Sequence, residues 1–144
     1  MNHNFFTRDI IDAWIHAKTI TCMTVDWLSE EELPKIGPFP FSAKHSLSDE
    51  CLVRLKRIFE DKYWDREMSN RAAPIPEIII HVESPDKETP LFFYDATRMF
   101  FGYVKGKNLL AQELSEEGNT LIQANLSVFL PKKITIHKTK PVEE

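Results

Sequence analysis

The sequence predicts a single α+β domain in which two main helices pack on a mostly antiparallel sheet of five to seven strands. In residues 7–18 and 47–69, apolar side chains recur at three- and four-residue spacing, as on one face of a helix. In residues 77–104, short apolar runs rich in isoleucine, phenylalanine and tyrosine are separated by turn residues, as in buried strands. Segregated helices and a run of hairpins are typical of the α+β class.

Both predicted helices begin with capping signals. Thr7 can accept a hydrogen bond from the free N–H groups of the first helix. Ser46 or Ser48 can cap helix 47–69, where acidic residues follow in the first turn. The opposite face of this longer helix carries charges of both signs, which indicates a solvated surface. Its apolar face is expected to consist of Cys51, Leu52, Leu55, Ile58, Phe59 and Tyr63.

The centre of the fold is expected at residues 77–104. Turn signals at residues 84–87 and 95–97 divide this stretch into three consecutive antiparallel strands, roughly 77–83, 90–95 and 98–105. Alternate residues of a strand point to opposite faces of the sheet. The natural core face of the first strand is formed by Ile78, Ile80 and Val82.

Further strands are predicted on both sides of this meander. Residues 19–27 are rich in β-branched side chains but alternate imperfectly, which requires a bulge or burial on both faces. A hairpin turn at residues 105–108 leads into residues 109–114, which fit a strand or a helix; we favour a strand. Residues 120–130 alternate between apolar and polar and predict a half-buried strand. The lysines of residues 134–140 are typical of a protected edge strand.

The loop that precedes the second helix is unusual. Ser29 and the three glutamates after it have capping-box spacing and predict one helical turn before Pro34. Three prolines within seven residues of the stretch 33–46 predict an extended, irregular path. Phe39 and Phe41 then have two interpretations. They fill the edge of the core beneath the loop, which we favour, or they form an exposed aromatic binding loop.

Composition limits the class of protein. The chain of 144 residues is 42% hydrophobic, which provides enough apolar material for one core, so residues 1–144 are expected to form one domain. A formal net charge of −4 argues against non-specific binding to nucleic acid. Two cysteines do not make a disulfide framework. Neither a secretory signal nor an apolar run long enough to span a bilayer is evident, so a cytoplasmic protein is expected.

Motifs for common chemistry are missing from the sequence. The five histidines are far apart, no HExxH is present, and neither cysteine belongs to a CxxC pair. The four glycines form no phosphate-binding pattern, and no GxSxG elbow is present. We therefore expect neither a metal site nor a cofactor.

One cluster could still support acid–base chemistry. His81 and Glu83 share a face of the predicted strand 77–83, and Tyr94 and Arg98 are expected on neighbouring strands. A histidine positioned by a carboxylate near a tyrosine and an arginine is suited to general acid–base catalysis. The competing interpretation, which we favour, is a solvated cross-strand ladder.

The sequence favours a non-enzymatic protein-binding module. We expect a small acidic inhibitor, antagonist or accessory subunit of a larger complex, such as a phage- or plasmid-carried antagonist whose acidic surface occupies a basic nucleic-acid-binding site. The alternative is a small enzyme or ligand-binding domain that uses the His81/Glu83 face. A third hypothesis, direct binding of nucleic acid through the lysines of the last strand, is disfavoured by the net charge. The expected partner-binding residues are Glu30, Glu31, Glu32, Phe39, Phe41, Asp61 and Asp65.

Overall fold

A computed structural model describes residues 6–65, 73–83 and 90–126 of the chain. This part of the chain contains three α-helices, seven β-strands and two short 3₁₀ turns, Lys56–Phe59 and Asp61–Tyr63. The helices are α1 (Arg8–Ile15), α2 (Asp49–Leu55) and α3 (Glu116–Leu126). The strands are β1 (Thr19–Val25), β2 (Lys35–Ile36), β3 (Phe39–Ser46), β4 (Ile78–Glu83), β5 (Leu91–Asp95), β6 (Phe100–Lys105) and β7 (Asn108–Glu113).

The strands form one antiparallel sheet in the order β2-β3-β1-β4-β5-β6-β7, which confirms the predicted α+β class with one helix more than expected. The predicted meander corresponds to β4, β5 and β6. Residues 109–114 are a strand, as favoured, and Gly106 adopts a positive φ of 61° in the turn before it. In β1 the pairing with β3 shifts between Thr24 and Val25, and both faces of the strand are buried.

The main core lies between the helices and one face of the sheet. Trp14 of α1 is fully buried at the centre of this core. The centroid of its ring lies 4.9 Å from the ring centroid of Phe92 and 5.2 Å from that of Phe101. Its indole N–H donates to the carbonyl oxygen of Leu55 over 2.9 Å, which ties α1 to the end of α2. The predicted core face of β4 is confirmed, because Ile78, Ile80 and Val82 are fully buried in this cluster.

A second, smaller apolar cluster lies on the opposite face of the sheet. Met23, Ile79 and Phe93 are buried there, although no described helix covers this face. The β2–β3 hairpin folds over it instead: Phe39 joins the cluster, and a methyl group added at Gly37 would lie 3.5 Å from Leu91 Cδ1 on β5. The sheet is therefore curled strongly enough for its edge hairpin to reach its centre.

The prediction of an extended, irregular path for residues 33–46 is wrong, because most of this stretch forms the β2–β3 hairpin. Gly37 turns the chain with a φ of 55°, a left-handed conformation that glycine adopts at little cost. Pro40 lies opposite Lys35 on β3, and its carbonyl oxygen accepts from the Asp26 N–H just beyond the end of β1, where no strand bond needs the missing N–H.

The helix predicted for residues 47–69 is shorter than expected. The α-helix ends at Leu55, and the following 3₁₀ turns are separated by Glu60 in an extended conformation, with φ −69° and ψ 143°. This bend lets the Trp64 indole donate to the carbonyl oxygen of Ile58 over 2.8 Å and lets the backbone of Trp64 bridge to Leu114. Tertiary packing of the large aromatic side chains thus overrides helix propensity here. Residues 66–69 lie outside the described part of the chain.

The strand predicted for residues 120–130 is wrong over residues 120–126, because α3 occupies residues 116–126, and residues 127–130 lie outside the described part of the chain. Ile122 and Leu126 face the core four residues apart, as on a helix. Asn125 is buried; its side chain donates to the Leu121 carbonyl oxygen and accepts from Arg54 Nε, each over 2.8 Å.

The last predicted strand, residues 134–140, lies outside the described part of the chain. Among the residues that are described, no helix combines the length and the apolar character needed to cross a membrane.

Candidate partner-binding site

The loop between β1 and β2, residues 26–34, presents two neighbouring large apolar side chains to solvent. We call it the Trp27 loop. Trp27 is 52% exposed and Leu28 is 66% exposed. The other exposed large apolar residues in the described ranges, Ile15, Val53 and Ile75, are single in the sequence. Single exposed apolar side chains are common on protein surfaces, whereas two adjacent ones are less common.

Local hydrogen bonds fix the base of this loop. The backbone N–H of Asp26 donates to the Pro40 carbonyl oxygen over 2.9 Å, and Asp26 Oδ1 accepts from the N–H of Leu28 over 3.1 Å. The Trp27 ring packs edge-on against buried Phe39, with 5.8 Å between ring centroids. One side of the indole is therefore supported by the hairpin while the rest stays accessible.

Three glutamates follow the apolar pair in the loop and place negative charge next to it in the chain. Glu30, Glu31 and Glu32 are all exposed, and none forms an ion pair with another described residue. The helical turn predicted here is wrong: the chain only bends, because Ser29 Oγ accepts from the backbone N–H of Glu31 over 3.1 Å and replaces a helical bond. The carboxylates are thus free to meet a partner's cations.

The two phenylalanines expected at the partner site lie on β3, close to the Trp27 loop. Phe39 is buried in the second apolar cluster, and Phe41 is half-buried against the same cluster. The Phe41 N–H donates to the Pro34 carbonyl oxygen over 3.0 Å, which holds the end of the loop against the hairpin. These side chains support the loop from below.

The two aspartates expected at the same site lie at the other edge of the sheet. Asp61 is exposed in the second 3₁₀ turn, and the backbone N–H of Asp65 donates to the Glu113 carbonyl oxygen of β7 over 3.0 Å. In the strand order, β7 is separated from β2 by five strands. The expected acidic residues therefore form two groups, of which only Glu30, Glu31 and Glu32 adjoin exposed apolar side chains.

His81 and Glu83 remain together and accessible. His81 Nδ1 lies 3.7 Å from Glu83 Oε1, and the imidazole is 33% exposed on the face of the sheet opposite the helices. Thr21 is the cross-strand neighbour of His81 on β1, and Leu91 is its neighbour on β5. Thr21 is buried and Leu91 packs against the second apolar cluster, so the accessible polar groups here are those of His81 and Glu83.

Tyr94 and Arg98 do not join that pair. Tyr94 points into the helix-covered core, where its hydroxyl donates to Asn119 Oδ1 of α3 and burial raises the pKa of the phenol. Arg98 Nη1 lies 3.3 Å from Asp95 Oδ2 at the turn between β5 and β6. The four residues proposed for acid–base chemistry are therefore divided among three places.

The β5–β6 turn holds a buried carboxylate that the sequence did not single out. Asp95 is fully buried and accepts from the backbone N–H of Ile75 over 2.8 Å and from that of Arg98 over 3.2 Å. Glu77 lies beside it and accepts from the Thr97 hydroxyl over 2.7 Å. Burial, aided by the negative charge of Asp95, raises the pKa of Glu77. Arg98 therefore has a structural role, because its backbone N–H and its guanidinium both bind Asp95 at this turn.

Trp27 and Leu28 are the candidate site residues that sequence reasoning missed. Trp27 was assigned to the end of a strand, whereas β1 ends at Val25. The available signal was the position of both residues directly before a run of three glutamates, where a buried strand is hard to continue. Comparison of the chain with protein-family models, with curated proteins and with solved structures gives no match.

Proposed function

We propose that this protein is a non-enzymatic protein-binding module that acts as a small acidic inhibitor, antagonist or accessory subunit of a larger complex. The observation that carries the proposal is the exposed Trp27–Leu28 pair, held on a hydrogen-bonded loop beside three unpaired glutamates. Tryptophan is among the residues most enriched at the energetic centres of protein interfaces.

The loop combines the two features of an interface patch. Its apolar tip offers a rigid anchor, because the indole is supported by Phe39 and loses little freedom on binding. Its acidic rim, Glu30, Glu31 and Glu32, favours a partner whose surface is rich in lysine and arginine. A basic surface of this kind is what nucleic-acid-binding proteins present. Occupation of such a surface would make this chain an antagonist.

The proposal predicts different roles for the apolar residues Trp27 and Leu28 and for the three glutamates. Burial of the indole should determine how long the complex lasts, whereas the glutamates should speed association and make it sensitive to salt. Removal of a tryptophan at an interface centre typically costs more than 2 kcal/mol, so affinity should fall by about 30-fold or more.

The test uses the tagged chain of residues 1–144 as bait in a lysate of the native host, with quantitative mass spectrometry of the captured proteins. Bait with Trp27→Ala and Leu28→Ala, and bait with Glu30→Lys, Glu31→Lys and Glu32→Lys, should both lose the captured protein. Val53→Ser is the matched control, since Val53 is equally exposed, at 67%, but lies on α2. The captured protein is then purified and its affinity measured at several salt concentrations.

The proposal fails if both loop variants capture the same proteins as the unmodified bait. It also fails if affinity for the purified partner does not change between low and high salt, because the acidic rim would then make no contact. Loss of the partner only in the Val53→Ser variant would move the binding surface to α2.

A further inference from the structure

Three of the five exposed large apolar side chains in the described ranges lie at one end of the sheet. Trp27 follows the end of β1, and Ile75, which is 47% exposed, precedes the start of β4. The Val25 N–H donates to the Glu77 carbonyl oxygen over 3.0 Å, so the chain leaves β1 beside the point where it enters β4. Leu28, next to Trp27, is the third member of this group.

The pairing of Val25 with Glu77 limits the distance between Trp27 and Ile75, because each lies two residues from that contact. Two residues of extended chain span at most about 7 Å, and paired strands lie about 5 Å apart. The Cα atoms of Trp27 and Ile75 are therefore no more than about 20 Å apart, which one extended segment of about six residues spans. We call Trp27, Leu28 and Ile75 the sheet-end surface.

Both sides of the sheet-end surface are held in place. The Ile75 N–H donates to Asp95 Oδ2 over 2.8 Å, and the prolines on either side of Ile75 restrict its backbone to an extended path. On the other side, Trp27 packs against buried Phe39. A partner therefore meets apolar groups that are already ordered, which limits the entropy lost on association.

The Trp27 indole has an accessible face. Its ring and that of Phe39 are inclined by 68°, an edge-to-face arrangement in which Phe39 covers at most one face of the indole. Because Trp27 is also 52% exposed, a planar cation can stack on the ring. The face of an aromatic ring is negative, and an arginine guanidinium is the protein cation that stacks on it best.

The charge beside this indole is negative. Residues 26–36 include four acidic side chains and a single basic one, Lys35. The three glutamates of the Trp27 loop are exposed, and none of them forms an ion pair with another described residue. This charge favours a cationic segment and opposes phosphate-bearing ligands.

We propose that the sheet-end surface binds an arginine-bearing segment of a partner protein, an inference that rests on the proposed function and names the chemistry its site recognises. A guanidinium stacks on Trp27 while a carboxylate of the Trp27 loop accepts two of its N–H groups, in the paired geometry that suits arginine. The aliphatic stems of neighbouring side chains of the segment cover Leu28 and Ile75. Lysine, whose charge is compact and strongly hydrated, forms neither the stack nor the paired bonds as well.

Two peptides of equal charge, hexa-arginine and hexa-lysine, test this preference. Each is labelled with fluorescein, and its affinity for the chain of residues 1–144 is measured by fluorescence anisotropy at low salt. Hexa-arginine should bind about fivefold more tightly, since stacking and paired bonds add to the attraction between charges. Trp27→Leu should weaken hexa-arginine by about the same factor and leave hexa-lysine unchanged, so that the difference disappears.

Further variants separate the parts of the site. Glu30→Gln, Glu31→Gln and Glu32→Gln together should weaken both peptides by about tenfold or more. Ile75→Ser should weaken hexa-arginine about threefold, because it removes apolar surface that the stems cover. Val53→Ser, at an exposed position on α2, is the control and should change neither affinity. Circular dichroism checks that each variant is folded.

A readout on the wild type needs no variant. In a ¹⁵N NMR spectrum, saturating hexa-arginine should shift the indole N–H signal of Trp27 and leave those of buried Trp14 and Trp64 in place. An unshifted Trp27 signal, or no binding of either peptide, would overturn the proposal. An unchanged preference in folded Trp27→Leu, or an unchanged hexa-arginine affinity in Ile75→Ser, would do so too.

Failure of this inference is distinguishable from failure of the proposed function. Equal affinities for the two peptides, both reduced by the glutamine substitutions, would overturn arginine recognition but leave a basic protein partner in place. The proposed function itself fails only in the capture experiment, where the loop variants would retain every captured protein.

Discussion

Gly118 fixes how closely α3 packs on the second 3₁₀ turn, and its replacement by alanine tests that contact. A Cβ atom at this position would lie 2.0 Å from the Tyr63 carbonyl oxygen, where at least 3.0 Å is needed. The same region is held by the Ser115 hydroxyl, which donates to the Lys62 carbonyl oxygen over 2.7 Å, and by the Ser115 N–H, which donates to Tyr63 over 3.0 Å.

Two effects of Gly118→Ala oppose each other. Alanine favours a helix by about 1 kcal/mol relative to glycine. Against this, α3 and Tyr63 must separate by about 1 Å, which strains the core and stretches the Ser115 bonds. Overpacking costs roughly 1–3 kcal/mol and each weakened hydrogen bond about 1 kcal/mol. We therefore expect the free energy of unfolding to fall by about 2 kcal/mol.

Urea unfolding followed by tryptophan fluorescence gives this free energy by linear extrapolation. Thr120→Ala is the control, because Thr120 is exposed in the same helix and should change stability by less than about 0.5 kcal/mol. Stabilisation of about 1 kcal/mol by Gly118→Ala would mean that helix propensity alone operates, and would refute the close contact.

Further predictions concern buried polar groups. Trp14→Phe should lower the free energy of unfolding by about 1–3 kcal/mol in the same urea assay, because it removes the indole bond to Leu55 and leaves that carbonyl oxygen unpaired; no change would contradict the bond. The raised pKa of Glu77 means that its ionisation opposes folding, so Glu77→Gln should match the wild type below pH 4.5 and become progressively more stable than it as the pH rises; equal stability at neutral pH would argue against the shift. Burial raises the pKa of Cys22 to about 12, so a thiol reagent at pH 8 should modify Cys51 alone in the folded protein and both cysteines in denaturant; rapid reaction of both in the folded state would refute that burial.

The sheet was predictable where one periodicity dominates. In β4, Ile78, Ile80 and Val82 share one face while His81 and Glu83 lie on the other, and the predicted core face is buried in the structure. The opposite face, which carries Ile79, His81 and Glu83, also buries Ile79, because the β2–β3 hairpin covers this part of the face. No local pattern predicts that a distant hairpin folds over a strand, so the second cluster could not be foreseen.

The helix α3 was missed because two periods coincide in its sequence. Ile122, Ala124 and Leu126 alternate as in a strand, but Ile122 and Leu126 also lie four apart as in a helix. The deciding signal was Ser115 followed by two glutamates: its hydroxyl accepts from the Gly118 N–H over 3.1 Å, as an N-cap does. Capping residues thus carried more information here than alternation.

The candidate site was only partly predictable. The glutamates of the Trp27 loop follow from the sequence as a charged run, but the exposure of Trp27 depends on where β1 ends. The separation of Tyr94 from His81 depends on strand register, since residues of opposite parity point to opposite faces. Sequence spacing identifies the residue types, whereas assembly of a site requires the register.

The hairpin that covers the second cluster also determines how the molecule opens. The β2–β3 hairpin is held mainly by its pairing with β1 and by contacts of Phe39. By contrast, β4 and β5 are paired with a strand on each side, and the helices pack on one face of both. The hairpin can therefore detach as a local unfolding unit while the helix-covered core stays intact. Backbone amides of β3 should exchange with deuterium faster than those of β4. Each such opening would uncover Ile79 and Phe93 together with the base of the Trp27 loop, so loss of the hairpin would remove the loop's support and expose an aggregation-prone surface at once.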